Sequence, residues 1–160
     1  MKKKEPSKQD LLTENRRLRA RVAGNEKRCA KLKKRLIELE ESEKKYRSIF
    51  VNTGTISIVF DENTVITMVN SDFATRMGYS KKEIEGRRSW TEFVVKEDLD
   101  RLLRSHRLRS RAPRKAPRHH EFRIVTKRGD ILHIFMTIDM IPGTKLRVAS
   151  LMDITDRIKA

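Results

Sequence analysis

The side chains through which this chain could do chemistry are four histidines, one cysteine and a scatter of carboxylates, and their spacing leaves little chemistry available. Cys29 stands alone, so it forms no internal disulfide framework, and one thiolate cannot by itself make a structural zinc site. His106, His119, His120 and His133 leave mixed ligand sets open, but no His-rich or Cys-rich metal spacing is present and no metal site is expected. Glycine is scarce, and the sequence holds neither a phosphate-cradling glycine loop nor the GxGxxG turn of a dinucleotide site. No nucleophile stands in a recognisable relation to a base, and no pair of carboxylates suited to acid and base roles shares an element. Binding, not bond-making, is the expectation.

The elements that would position these groups follow from period and punctuation. Ile56, Ile58 and Phe60 alternate with Ser57 and Val59, the period of a strand with one buried face. Asp61 to Asn63 form a polar turn into a second strand, Thr64 to Val69. Asn70 or Ser71 can cap a short helix in which Phe73 and Met77 share one face, and Gly78 suits its left-handed C-cap. Ser80 with Glu83 makes a capping-box pair for a second short helix that ends at Gly86. Lys96 to Ser110 places Leu99, Leu102, Leu103 and Leu108 at helical spacing, and Pro113 and Pro117 require the helix to stop. The arginine-rich segment Arg107 to Arg118 is expected to be a charged, exposed connection. Three strands follow, Glu121 to Thr126, Ile131 to Met140 and Leu146 to Met152, joined by turns at Lys127 to Asp130 and Pro142 to Lys145.

A strand ending in Asn70, then Gly78-Tyr79-Ser80, Glu83 and Gly86, then Glu121-Phe122-Arg123, Lys127-Arg128-Gly129-Asp130 and Asp153-Ile154-Thr155, resembles a PAS domain over roughly Tyr46 to Thr155. The resemblance implies an α+β fold, a five-stranded antiparallel sheet flanked by short helices with one longer helix across it. It also implies a role in sensing, with Asp153, Ile154 and Thr155 at the point where such domains pass a signal to a following helix. Ile58, Phe73, Met77, Trp90, Phe93, His133, Phe135, Met136 and Met152 are then candidates to line a ligand pocket, or simply to fill the core.

The cofactor stays open. Flavin photosensors of this family carry a cysteine in the helical half, and this domain has none, so flavin photochemistry is not expected. Haem-bearing relatives use an axial histidine from the long helix, which points to His106. Its late position beside Arg104 and Arg107 suits an exposed side chain better. His119 and His120 read as surface residues of the loop. His133 is either a pH-responsive pocket contact or an ordinary hydrogen-bonded strand histidine. One departure from the family pattern is Val95-Lys96-Glu97-Asp98, where these domains often read His-Pro-Glu-Asp; Asp98 is still expected to cap or favour the helix N-terminus.

Ahead of this domain runs a heptad register: Leu11, Leu18, Asn25, Leu32, Leu39 and Tyr46 at one position, interleaved with Asn15, Val22, Cys29, Leu36, Glu43 and Phe50. The expected seam is Leu11, Leu18, Val22, Cys29, Leu32, Leu36 and Leu39, in a parallel two-stranded coiled coil that makes a homodimer. Asn25, Glu43 and nearby Gly24 weaken it, so the domain is expected to add dimer contacts. Cys29 would face its mate, as a small apolar residue or as a bridging thiol. Tyr46, Ile49 and Phe50 form a stripe suited to lying against a sheet.

Composition supplies the rival reading. A net charge of +16 favours nucleic acid, acidic proteins or anionic surfaces as partners. A nucleic-acid-binding regulator would use the basic coil and the Arg107 to Arg118 loop. The basic residues of the coil lie within and beside the heptads, whereas a zipper protein that reads DNA places them ahead, so a solvated helix face is expected. No apolar run is long enough to span a bilayer and no secretory signal is evident, which predicts a soluble, cytoplasmic protein. The expected organisation is a disordered basic arm at 1–10, a coiled-coil helix at 11–45, a PAS sensor domain at 46–155 and the start of a signalling linker at 156–160. As a whole the chain reads as the input portion of a signalling protein of the sensor-kinase type, with any effector outside it.

Overall fold

A computed structural model describes residues 5–160. They form two compact units, one ending at Arg47 and the other running Ser48–Ala160. The first is most of a single helix, α1 (Lys8–Val51), 44 residues long. It begins inside the segment expected to be an unstructured arm, because Ser7 and Asp10 cap it: Asp10 N–H donates to Ser7 Oγ at 3.2 Å and Asp10 Oδ2 accepts from Ser7 N–H at 3.0 Å. Residues 1–4 of that arm lie outside the described residues. No residue of α1 is buried, and the seam leucines are open, from Leu18 at 46% to Leu39 at 66% exposed. Cys29 is exposed as well. Tyr46 and Ile49, expected against a sheet, are both exposed.

The second unit contains β1 (Ile56–Phe60), β2 (Ile66–Val69), α2 (Ser71–Met77), α3 (Lys81–Ile84), α4 (Lys96–Arg111), β3 (His119–Val125), β4 (Ile131–Met140), β5 (Arg147–Asp153) and α5 (Thr155–Lys159). The strands make one sheet in the order β2-β1-β5-β4-β3, with every neighbouring pair antiparallel. Sequential pairs come from short turns. The β1 to β5 pairing brings the two halves of the domain together, with Ile58 opposite Ala149. The second strand starts two residues later than its β-branched run suggests, because Thr64 adopts φ 72° in the turn and Asp61 Oδ1 accepts from Asn63 and Val65 N–H.

One face of the sheet carries the core. Ile58, Phe60, Ile66, Val69, Ile134, Met136, Ile138, Ala149 and Leu151 meet Phe73, Met77 and Ile84 from the short helices and Leu102 from α4. β1 departs from its expected alternation: Ser57 and Val59 are buried too, at 6% and 7%. Asn70, fully buried, ties the first half together. Its Oδ1 accepts from Phe73 N–H at 3.1 Å, capping α2, and from Ser57 N–H at 3.0 Å in β1, while Nδ2 donates to Thr55 O at 2.6 Å. Gly78 at φ 76° ends α2 with its N–H on Ala74 O, a conformation costly for a residue with a Cβ.

Candidate functional site

α4 builds the site. Leu99, Leu102, His106 and Arg109 recur at three- and four-residue steps, so one stripe of the helix points toward the sheet. Leu108, expected on that stripe, is 39% exposed, and Arg109 takes the inward place. The start of the helix is fixed from β3 and not by a cap of its own. Asp98, expected to cap or favour the N-terminus of α4, does lie in its first turn but makes no cap: its carboxylate accepts from the backbone N–H of Arg123 at 2.9 Å and from its guanidinium Nε at 3.1 Å. That hydrogen bond, opposed by burial, holds the Asp98 carboxyl below its usual range. Val95 occupies the N-cap position with no side-chain bond.

Between α4, the short helices and the inner sheet face lies a cavity of about 50 Å³. Of the nine candidate pocket residues, it is lined by Ile58, Phe73, Met77, Trp90, Phe93 and Met136. The other three sit elsewhere, and the reason is strand register. Met136 pairs with Leu151 on the inner face, so its neighbour Phe135, opposite Met152, must point to the outer face. Met152 is 54% exposed there. His133 also leaves the pocket and joins the end of the sheet: its N–H donates to Thr155 Oγ1 at 2.9 Å and its carbonyl accepts from Ile154 N–H at 2.8 Å.

Two histidines expected at the surface turn out to be buried. His106, 7% exposed, forms a three-ring cluster with Phe60 and Trp90, its centroid 5.9 Å from each, and its Nε2 meets Glu62 O at 2.9 Å. Burial, reinforced by Arg147 and Arg109, holds it below its ordinary 6.5, although the Glu62 carbonyl works the other way. His120 is buried because β3 begins at His119, before its expected start. Alternation then places His120 with Phe122 and Ile124 on the inner face, opposite Met136. Burial and the nearby Arg109 charge also lower its pKa. His119 is exposed, stacked on Phe135 at 5.5 Å.

Arg109 and Arg147 are the residues that sequence reading missed. They are 2% and 1% exposed, and neither pairs with a carboxylate among the described residues. Arg109 Nη2 donates to Pro117 O, and Arg147 donates to Lys145 O and Ser110 Oγ. The Arg107 to Arg118 segment is therefore not uniformly exposed: its first part is helix, and Arg109 is inside. The available signal was the i, i+3, i+7 relation of Arg109 to His106 and Leu102, which the leucine at 108 obscured.

At the far end of β5, Asp153 Oδ1 accepts from Thr155 N–H at 3.0 Å and Thr155 Oγ1 at 2.6 Å, while Arg76 Nη1 of α2 reaches Oδ2 at 3.0 Å. Burial raises the Asp153 pKa, but these donors outweigh it and the net shift is downward. The three residues Asp153, Ile154 and Thr155 thus bind α2, β4 and α5 into one junction, which begins two residues along β5 from Leu151 in the cavity wall.

The family model for the PAS fold matches residues 66–151, more than half of the chain. The chain belongs to the PAS fold family. As a PAS domain it is similar to that of a protein from Colwellia psychrerythraea, at 23% identity and TM-score 0.63, covering 71% of this chain and 98% of that one. It is also similar to a domain of the sensory box sensor histidine kinase/response regulator from Geobacter sulfurreducens, with 20% identity, TM-score 0.58, and 72% and 96% covered. The RpfR quorum-sensing receptor PAS domain of Cronobacter turicensis, in complex with C12:0, matches at 18% identity and TM-score 0.56 over 63% of this chain and 94% of that one. No curated protein matches the sequence.

Haem does not fit this cavity. A porphyrin is far larger than about 50 Å³, and the His106 Nε2 that would ligate iron is committed to the Glu62 carbonyl. The chain's one cysteine, Cys29, lies in α1 and not in the sheet domain. Among the described residues, no group of three or more metal-ligating side chains comes together, and no helix is long and apolar enough to cross a membrane.

Proposed function

We propose that this PAS domain is the non-catalytic sensory module of a cytoplasmic signalling protein, of the kind that feeds a sensor kinase. The cavity under α4 takes a small ligand, and its occupancy shifts β5 and the Asp153-Ile154-Thr155 junction, reorienting α5 and whatever effector follows. The single observation that supports this reading most is continuity. Leu151 lines the cavity and Asp153, two residues on along the same strand, holds Thr155 at the start of α5 and Arg76 of α2. A bound molecule that moves Leu151 therefore has a hydrogen-bonded route to the exit helix.

Two copies would act together, joined along the open α1 seam from Leu11 to Leu39 as a parallel coiled coil, with the sheet domains adding contacts. Hydrogen exchange of residues 150–160 with and without a cavity ligand tests the relay, which requires a change in protection there. Light scattering after deletion of residues 1–42 tests the coil, and an unchanged dimer removes it from the account. The rival function, nucleic-acid binding through basic α1 and the arginine-rich segment, draws on the +16 charge. Titration of duplex DNA at two salt concentrations separates the two, since specific phosphate gripping by that surface gives tight, steeply salt-dependent binding.

A further inference from the structure

We propose that the ligand of this cavity is a short-chain organic monocarboxylate, its carboxylate held at the Arg109 end and its tail among the apolar walls. The inference rests on the reading of the cavity as a ligand site and adds the chemistry of the occupant. A guanidinium taken out of water needs an anion or a full set of acceptors, and a buried donor left without one is unfavourable. Arg109 has neither. Its Nη2 is satisfied by the Pro117 carbonyl, but its Nε is buried without an acceptor, and the one carboxylate whose charge acts on it, Asp139, is exposed and paired with Arg118.

The same end of the cavity gathers further unanswered polarity. Trp90 Nε1 is buried and unpartnered, as is Nδ1 of His106, whose ring lies 5.9 Å from that of Trp90 and one helical turn before Arg109. Arg147 stands close behind, with its own Nε unpartnered and its charge felt at both His106 and Arg109. One lining cation, Arg109, that pairs with no carboxylate, beside an unpartnered indole N–H in a wall that is mostly apolar, matches a carboxylate better than an alcohol or an amine. Phe73, Met77, Phe93, Leu102 and Ile124 provide the apolar remainder. The volume of about 50 Å³ holds a few heavy atoms, which selects a short tail.

The test is an NMR titration of the full chain, in a buffer free of organic acids, with butyrate, butyramide and 1-butanol, following the Arg109 Nε–H resonance and the core methyl groups. The expected result is that butyrate binds at least about tenfold more tightly than butyramide, with the Arg109 Nε–H moving on binding. Arg109→Met should erase that preference while 1-butanol still binds. Trp90→Phe, which removes one N–H and keeps an aromatic ring, should weaken butyrate several-fold more than it weakens 1-butanol, and it reports independently if Arg109→Met does not fold. Should butyramide or 1-butanol bind as well as butyrate, the carboxylate assignment is wrong while the cavity remains a ligand site. If none of the three enters, the cavity reading and the assignment both fall.

Discussion

The two faces of the sheet are built from the same strands and have opposite characters. On the inner face Ile134, Met136, Ile138, Ala149 and Leu151 are buried and surround a cavity; on the outer face Met68 and Met152 are open and Phe135 is only half-buried. Both faces carry methionine and aromatic residues, so residue type does not distinguish them. What separates them is coverage by α2 and α4, and with it the presence of ionisable groups. The inner face meets Arg109, Arg147, His106 and His120 in a place where their charges are not screened, whereas the outer face keeps His119 in solvent. An apolar side chain therefore contributes stability on one face and little on the other, and a charge is costly on one face and indifferent on the other.

The sharpest way to break this contrast is to shorten one side chain on each face. Ile134→Ala, on the inner face with no solvent exposure, is expected to destabilise the domain by about 3 kcal/mol, seen as a lower urea midpoint. A loss within a few tenths of a kcal/mol would mean that the face is not packed as described. Asn70→Ala should come next, at about 2 kcal/mol, since it removes the α2 cap and leaves the Ser57 and Thr55 backbone groups without their partner. Asn70→Asp recovering only part of that loss would assign the rest to the Nδ2 donation to Thr55.

Acid offers a smaller and more specific probe of the inner face. His106 and His120 both titrate below their ordinary 6.5 in the folded chain. As pH falls through 6.5 the unfolded chain takes up protons that the folded chain does not, so stability should decline with falling pH and level off once the folded pKa values are passed. The thermal midpoint between pH 7.5 and 5 checks this, and His106→Gln should flatten the decline. Smallest of all is Met152→Ala, expected within about 0.5 kcal/mol of the parent. A larger cost would show that something covers the outer face.

Much of the fold was readable because punctuation is local. Asn70, Gly78, Ser80 with Glu83 and Gly86 mark their turns whatever surrounds them, and Glu83 accepts from Ser80 N–H at 2.7 Å as the capping pair requires. Lys127 reaches the same carboxylate at 2.9 Å, and with the Ser80 bonds it brings the Glu83 pKa down to about 2, a link across 44 residues that spacing alone did not reveal. The pocket was less readable for a reason tied to strands. Whether Met136 or Phe135 faces inward depends on where pairing begins, and a shift of one residue exchanges the two faces. The helix posed the complementary problem, since Leu108 and Arg109 compete for one stripe and hydrophobicity favours the wrong one.

By itself the sequence determined the element order, the turns, the heptad helix and the PAS signature, because each depends on neighbours a few residues apart. Tertiary structure alone decided which histidines are buried, that Asp98 in the first turn of α4 reaches across to β3, and that two arginines lie inside with no paired carboxylate among the described residues. Those outcomes follow from strand register and helix azimuth, which are set by the packing of distant segments, and a guanidinium goes inside only when the surrounding carbonyls and hydroxyls come from parts of the chain that the local pattern does not include.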